Sequence, residues 1–131
     1  KRIEKFGSIN VVEFAEVKGQ ANPKIVKNME AEKILVKLKP DDFLILLDEK
    51  GKSFSSVEFA DFIQKKENQS VKKLIFLIGG AYGFDEKVYA RANYQLSLSS
   101  MTFSHQLIRL IFMEQLYRAY TIMNNFPYHN E

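Results

Sequence analysis

Five hydrogen-bonding side chains fall within seven residues of the C-terminal half of the chain: Ser99, Ser100, Thr102, Ser104 and His105. A plain turn needs Gly, Asn or Pro, so this concentration of hydroxyl groups predicts either a helix cap or a ligand-binding loop. A histidine at this position has the chemistry of a base or of a phosphate contact. It is equally compatible with the ordinary first turn of a helix capped by Ser104.

Glycines follow an apolar run in the middle of the chain. Gly79 and Gly80 come directly after residues 74–78 and Gly83 follows three residues later. Glycine lets the backbone approach a ligand closely or adopt positive φ. The spacing matches neither the G-x-G-x-x-G dinucleotide fingerprint nor a P-loop. From spacing alone, a tight turn from strand to helix is the favoured interpretation.

The carboxylates and histidines of the chain do not by themselves indicate a reaction or a metal site. Asp48 and Glu49 end another apolar run, but adjacent residues point in different directions, and a polar turn is the better interpretation for Glu49. His105 and His129 have neither cysteine nor a carboxylate at ligand spacing, so we expect no metal site. A Ser-His-Asp hydrolase is not indicated, because the chain has no G-x-S-x-G motif.

The elements that would position these residues alternate between strand and helix. Residues 43–47 and 74–78 are apolar without alternation, which is typical of parallel strands covered on both faces. The pattern predicts an α/β fold with an open, mostly parallel sheet and helices on both faces. The predicted elements are a helix tail at 1–6, strands at 9–17, 42–48, 74–78 and 94–100, and helices at 27–38, 55–68, 85–92 and 104–123.

Open α/β sheets bind ligands beyond the carboxyl ends of their strands. Three such ends are therefore candidates: Leu47 with Asp48, residues 79–83, and residues 98–103. We expect them to form one cleft, because the carboxyl ends of parallel strands meet at the same edge of the sheet.

The last predicted helix is apolar on almost every side, so it must be buried on more than one side. In a domain of this size, a partner subunit is a natural source of that burial. Glu114 and Arg118 are spaced i,i+4 and predict a helix ion pair. Arg109 lies about 180° from Arg118 around the helix. Arg118 is interpreted equally well as a surface ion pair or as a cation for a phosphate or a substrate carbonyl.

Composition limits the class of protein. The chain has 131 residues, 46% of them hydrophobic, which predicts one globular domain over residues 1–131. It has no cysteine, which excludes disulfides and fits a reducing cytoplasm. No apolar run approaches the ~20 residues of a membrane span, and the basic N-terminus lacks the apolar stretch of a signal peptide. The net charge of +3 permits a polyanionic partner without requiring one.

Three segments together resemble one known family. They are LLDEKGK, LIFLIGGAYGF, and the segment LSLSSMTFSHQLIRLIFMEQLYRAYTIMNNFPYH. The motifs IGG-x-x-G, LS-x-x-T-x-x-H, E-x-x-YRA and terminal PYH recur in order and at family spacing. The chain thereby resembles, over essentially its whole length, the SPOUT-class RlmH (YbeA) family. That family methylates N3 of a pseudouridine in 23S ribosomal RNA of the large subunit.

The resemblance implies a C-terminal trefoil knot and S-adenosylmethionine as methyl donor, held in that knot. It implies that the hydroxyl-rich segment is the knot loop, whose backbone binds the adenine and surrounds the methionine end. The residues that correspond to the family's cofactor contacts are Leu47, Gly79, Leu98, Ser99, Ser100, Met101, Thr102 and Phe103.

The resemblance also implies catalytic residues and partners. Arg118, His105, Tyr128 and His129 match family positions near the target nucleotide. Arg118 would stabilise charge on a carbonyl oxygen, and either His129 or His105 would accept the N3 proton. The expected partners are ribosomal RNA, in the large subunit or the assembled ribosome, and a second copy of the chain in a cytoplasmic homodimer, with no membrane and no metal.

Family members differ from this chain at three places. They usually have Pro at the positions of Ala81 and Ser104, and they begin with a strand and most of a helix before the equivalent of Lys1. We therefore expect such a segment to precede Lys1 in the complete protein. The alternative function is a non-catalytic RNA- or ribosome-binding module with the same fold, which would need only the basic surface and not the donor site.

Overall fold

Strands with continuous apolar residues form the centre of a sheet in the computed structural model of the chain. The structure describes residues 2–6, 9–13, 22–69, 71–79, 83–99, 101 and 103–125, with residues 2–6, 10–13, 23 and 105 described by their backbone alone. The strands are β1 (Arg2–Phe6), β2 (Ile9–Glu13), β3 (Phe43–Ser53), β4 (Leu74–Ile78) and β5 (Tyr94–Ser97). The helices are α1 (Pro23–Leu35), α2 (Ser56–Asn68), α3 (Glu86–Arg91) and α4 (His105–Met123).

Within the described residues the sheet has five strands in the order β1-β2-β4-β3-β5. β1 pairs with β2 antiparallel, whereas β2 with β4, β4 with β3 and β3 with β5 are parallel pairs. The parallel pairs bring the carboxyl ends of β3, β4 and β5 to one edge. The predicted α/β fold with a mostly parallel sheet is confirmed.

The unbroken apolar runs are explained by burial of both faces of the sheet. Ile45 and Leu47 pack with α2 and α4 on one face, while Leu44 and Leu46 pack with α1 and α3 on the other. Successive side chains of a strand point to opposite faces, so a strand covered on both sides has no polar position. All five residues of β4 are buried for the same reason.

Aromatic side chains hold α4 against the sheet. Phe112 is fully buried, with its ring centroid 4.8 Å from that of Phe76 and 6.0 Å from that of Phe59. Truncating a buried Phe of this kind typically costs about 3–5 kcal/mol. These contacts fix the angle of α4 and therefore the position of the loop that leads into it.

The short edge strand β5 is anchored by side chains just before it. The Asn93 backbone N–H donates to the Leu44 carbonyl at 2.8 Å, and the Leu44 N–H donates to the Asn93 side-chain oxygen at 2.8 Å. The Arg91 guanidinium donates to the carbonyls of Lys39 and Asp42 at 2.9 and 3.0 Å. These bonds set the register in which β5 runs beside β3 toward the strand ends.

One predicted element is wrong. Residues 1–6 were expected to be the end of a helix, but Arg2–Phe6 is a strand, with Phe6 opposite Ile9 in the antiparallel pair. Only Gly7 and Ser8 lie between the two strands in the sequence. These residues form a strand because they pair with β2, a contact that is not visible in their own sequence.

Helix starts are well predicted where a cap residue is present. Ser55, Asp85 and Ser104 are the N-caps of α2, α3 and α4, at the predicted helix starts 55, 85 and 104; for α2 the sequence left Ser55 and Ser56 open as the cap. α1 begins four residues earlier than predicted, because the Asn22 side chain accepts from the Lys24 N–H and Pro23 occupies the first helical turn. β3 is longer than predicted and continues to Ser53.

Candidate active site

A cavity of about 610 Å³ lies at the carboxyl ends of β3, β4 and β5. All three predicted strand ends contribute to its wall, so the expectation that they form one cleft is confirmed. The lining residues are Lys27, Leu47, Asp48, Glu49, Lys50, Ile78, Gly79, Gly83, Phe84, Glu86, Tyr89, Leu98, Ser99, Met101, Phe103 and Ile108.

An arch in β3 supplies the first wall. Leu96 of β5 pairs with both Leu47 and Lys52, so residues 48–51 leave the regular ladder between the two pairings. A Cβ atom on Gly51 would lie 2.6 Å from the Gln95 carbonyl carbon, a distance that real Cβ atoms do not reach. Glycine therefore lets the arch cross β5, and the arch holds Asp48 at the cavity.

The Asp48 carboxylate is held by two neutral donors. One oxygen accepts from the Tyr89 hydroxyl of α3, and the other accepts from the Lys50 N–H at 3.0 Å. Burial raises the pKa of the Tyr89 phenol well above its usual range, and the hydrogen bond to Asp48 and the negative charge of Asp48 raise it further. Tyr89 therefore stays protonated, and remains a donor to Asp48, at neutral pH.

Two glycines near the end of β4 occupy their positions for different physical reasons. A Cβ atom on Gly79 would lie 3.1 Å from two carbons of the Phe84 ring, so glycine lets the ring pack closely against the backbone there. Gly83 has φ of +80° and open space around it, so glycine is needed there for its backbone conformation. The Phe84 ring, which forms part of the cavity wall, therefore lies directly against Gly79.

The hydroxyl groups after β5 shape the third wall. The Ser97 hydroxyl donates to the Ser99 carbonyl at 2.8 Å, and the Ser99 hydroxyl accepts from the Met101 N–H at 3.0 Å. The Ser104 hydroxyl accepts from the Leu107 N–H at 3.3 Å and caps α4. The segment is therefore both a helix cap and a folded loop at the cavity, and the described hydroxyls bond to its own backbone.

Most predicted donor-site residues come together. The described ones that line the cavity are Leu47, Gly79, Leu98, Ser99, Met101 and Phe103. Ser100 and Thr102 lie outside the described residues. Among the residues predicted for chemistry, Tyr128 and His129 also lie outside them, and His105 is described only as the first backbone position of α4.

Arg118 is placed differently from the donor-site residues. It donates from Nε and Nη2 to the Glu114 carboxylate at 2.6–3.0 Å, so the predicted helix pair is confirmed. Among the described residues that line the cavity, Ile108 is the α4 member. Arg118 is ten residues further along the helix, about 15 Å at 1.5 Å per residue.

Sequence reasoning missed several wall residues. Lys27, Glu86 and Tyr89 lie on helices α1 and α3 and line the cavity from outside the strand ends. Tyr89 follows the Asp85 cap by four residues, which places it on the first turn of a helix that packs over the sheet. Nothing in its local sequence pattern indicates its contact with Asp48, which is 41 residues away.

The described residues contain neither a candidate metal site nor a candidate membrane-spanning helix. Within the described ranges, no three His, Cys, Asp or Glu side chains are grouped so as to hold a metal ion. The helices described here are all too short or too polar to cross a membrane.

Comparison with known proteins identifies the family. The family model described as "Predicted SPOUT methyltransferase" matches residues 1–129. A protein of Parabacteroides distasonis named "Ribosomal RNA large subunit methyltransferase H" is 57% identical over 105 residues, covering 80% of this chain and 67% of the relative. A protein of the same name from Phocaeicola vulgatus is 51% identical, covering 100% of this chain and 85% of the relative. The chain belongs to the SPOUT methyltransferase family.

Proposed function

We propose that the chain is an S-adenosylmethionine-dependent methyltransferase that acts on N3 of a pseudouridine in large-subunit ribosomal RNA. The observation that carries the proposal is the cavity itself. Six of the eight residues expected to contact the donor line one cavity at the strand ends of a family member. Relatives that are more than half identical are named for methylation of large-subunit ribosomal RNA.

The cavity suits the proposed donor in size and in chemistry. Its volume of about 610 Å³ is within the ~300–1,000 Å³ of small-molecule sites. Leu47, Leu98 and Phe103 offer apolar surface to an adenine ring. Gly79 brings backbone to the wall, and Asp48 offers a carboxylate. When bound, S-adenosylmethionine supplies an electrophilic methyl group.

The chain's residues would then hold the reactants in place. Two hydrogen bonds, from the Ser97 hydroxyl to the Ser99 carbonyl and from the Met101 N–H to the Ser99 hydroxyl, restrain the described part of the loop after β5. Ordering reactants in advance is a large part of the rate gain in transfer between two bound molecules. We propose that Ser100 and Thr102 of this loop also contact the methyl donor.

The loops after β4 and β5 also suggest how the chain is threaded. Gly79 and Gly83 share the cavity wall with Leu98, Met101 and Phe103, so the two loops border the same cavity. A trefoil knot, in which the C-terminal segment passes through an earlier loop, would place them in this way. We propose that knot as the fold of the C-terminal half.

We propose that two copies of the chain together form the site for the nucleotide that accepts the methyl group. Leu107, Leu110 and Tyr117 are 43%, 63% and 55% exposed and lie within about 80° of one another around α4. Arg118 lies on this same face. A second copy packed there in a homodimer would bury the apolar side chains and carry Arg118 toward the partner's cavity.

In that arrangement the chemistry at N3 is divided among chain residues. Methylation at N3 requires that its proton leave, and His129 or His105 would accept it. Arg118 would stabilise the negative charge that develops on a neighbouring carbonyl oxygen. Tyr128 would stack on the target base. Such a reaction takes place where ribosomes are, so we propose a cytoplasmic enzyme.

Donor binding separates this proposal from a non-catalytic RNA-binding module. Isothermal titration of the complete protein with S-adenosylmethionine should give one saturable site per chain. Incubation with labelled donor and ribosomes that lack the modification should then place label on large-subunit RNA. Ribosome binding without donor binding would support the non-catalytic module and overturn the enzyme.

A further inference from the structure

Asp48 is a carboxylate at the cavity that has no positively charged partner among the described residues. Among the described residues, its carboxylate oxygens accept only from the Tyr89 hydroxyl and the Lys50 backbone N–H, and no Lys or Arg nitrogen lies within 4.0 Å. Lys27 and Lys50 line the same cavity but do not pair with it. A negative charge held beside a cavity in this way favours a cation from the ligand.

The two neutral donors fix the carboxylate without cancelling its charge. An ionised carboxylate has about four acceptor positions, and the two bonds use only half of them. The Lys50 bond ties it to the arch of residues 48–51, and the Tyr89 bond ties it to α3. Since Tyr89 keeps its proton at neutral pH, its hydroxyl hydrogen stays directed to Asp48.

The location of Asp48 matches that of the donor residues. It directly follows Leu47, which is expected to contact the donor, and it shares the wall with Gly79 and Leu98. The proposed donor carries two positive groups, an α-ammonium and a sulfonium. Its thioether product keeps the ammonium and loses the sulfonium charge.

We propose that the Asp48 carboxylate binds a cationic group of the methyl donor and that Tyr89 is the positioning residue that aims it. This inference rests on the proposed function and adds a specificity-determining residue to it. A carboxylate at this point makes the cavity prefer a charged ligand over a neutral adenosine derivative of the same shape.

Two other roles for Asp48 make different predictions. If Asp48 binds a ribose hydroxyl, it acts on every adenosine ligand alike. If Asp48 only holds the arch against α3, replacing it changes the stability of the fold and lowers the affinity for all three ligands by a similar factor. The cation proposal alone predicts that the effect depends on ligand charge.

Calorimetric titration of the complete protein with three ligands separates these roles. The ligands are S-adenosylmethionine, S-adenosylhomocysteine, which has only the ammonium, and 5′-methylthioadenosine, which has neither positive group. The variants are Asp48→Asn, which keeps the shape and removes the charge, and Tyr89→Phe. Asp61→Asn is the matched control, since Asp61 is exposed on α2, pairs with Lys65 and lies outside the cavity wall. Thermal unfolding checks that each variant is folded.

We expect Asp48→Asn to lower the affinity for S-adenosylmethionine about ten- to a hundredfold and to change the affinity for 5′-methylthioadenosine less than threefold. If the variant loses as much affinity for S-adenosylhomocysteine as for S-adenosylmethionine, the bound group is the ammonium. If its affinity for S-adenosylhomocysteine is unchanged, the bound group is the sulfonium. Tyr89→Phe should give a smaller loss with the same dependence on charge, and no further loss in the Asp48→Asn background, because it acts through Asp48. Asp61→Asn should match wild type.

An equal loss for all three ligands, or no loss for any, would overturn the inference while leaving donor binding by the wild-type protein intact. A Tyr89→Phe loss that adds fully to that of Asp48→Asn would overturn the positioning role. A wild-type protein that binds none of the three ligands would overturn the proposed function and this inference with it.

Discussion

The contact between Gly79 and Phe84 gives the sharpest test of how the cavity is built. A Cβ atom at position 79 would lie 3.1 Å from the Cε1 and Cζ atoms of the Phe84 ring, tighter than ordinary van der Waals contact. The ring is 6% exposed and packs edge-on against Tyr89 with centroids 5.8 Å apart, so it has little room to move. Any side chain at position 79 must therefore displace a wall of the cavity.

The expected cost follows from this overlap. Overpacking a filled core costs about 1–3 kcal/mol, and a single methyl that needs a shift of a few tenths of an ångström belongs at the lower end. Gly79→Ala should therefore lower Tm by roughly 3–6 °C for a domain of this size. Gly79→Val, with two further methyl groups, should lower it more and should weaken S-adenosylmethionine binding at least tenfold.

Two further variants isolate the cause. Phe84→Leu removes the ring, so adding Gly79→Ala to it should cost much less than in the wild type. Gly83→Ala should be destabilising through its φ of +80° alone, and Phe84→Leu should not relieve it. The measurements are thermal unfolding by circular dichroism and titration with the donor. Equal costs of Gly79→Ala in both backgrounds, or a folded Gly79→Val protein with unchanged affinity, would refute the reasoning.

The remaining predictions concern the dimer, the tail and the arch. Leu110→Glu should give monomers or aggregates by light scattering, because it places an unpaired charge in the proposed interface; a wild-type protein that is monomeric at micromolar concentration would contradict this. Deleting residues 127–131 should abolish methylation of ribosomes while leaving donor affinity and dimerisation nearly intact; full activity would show that the tail has no role. Mixing that deletion with Arg118→Ala chains should restore one site per heterodimer, where the intact tail meets the intact Arg118, and no restoration would argue against a shared site. Gly51→Ala should destabilise the fold by about 1–3 kcal/mol in denaturant unfolding, because its Cβ would overlap the Gln95 backbone, and a neutral result would show that the arch can shift.

Local sequence rules predicted the central part of the fold. The β4 run has the same bounds in the sequence pattern and in the structure, and its five continuous apolar residues fit a strand covered on both faces. The caps Ser55, Asp85 and Ser104 mark helix starts because each side chain satisfies a backbone N–H of the first turn. The rule that ligands bind at strand ends then located the cavity.

Other features depend on contacts that no local pattern contains. The β1 strand forms through pairing with β2, and its sequence alone is compatible with a helix. The arch in β3 depends on β5 running beside it, and the bond between Tyr89 and Asp48 joins two elements far apart in the chain. The role of Gly79 is also visible only in space, because the sequence does not show that the Phe84 ring folds back against it.

The most direct test of the central claim is transfer of a labelled methyl group. The complete protein, labelled S-adenosylmethionine and ribosomes that lack the modification should give label in large-subunit RNA, on N3 of a single pseudouridine when the RNA is digested and its nucleosides are identified. Label at that one position is the predicted result. Ribosomes that bind the protein, in the presence of bound donor, and remain unlabelled would contradict the account.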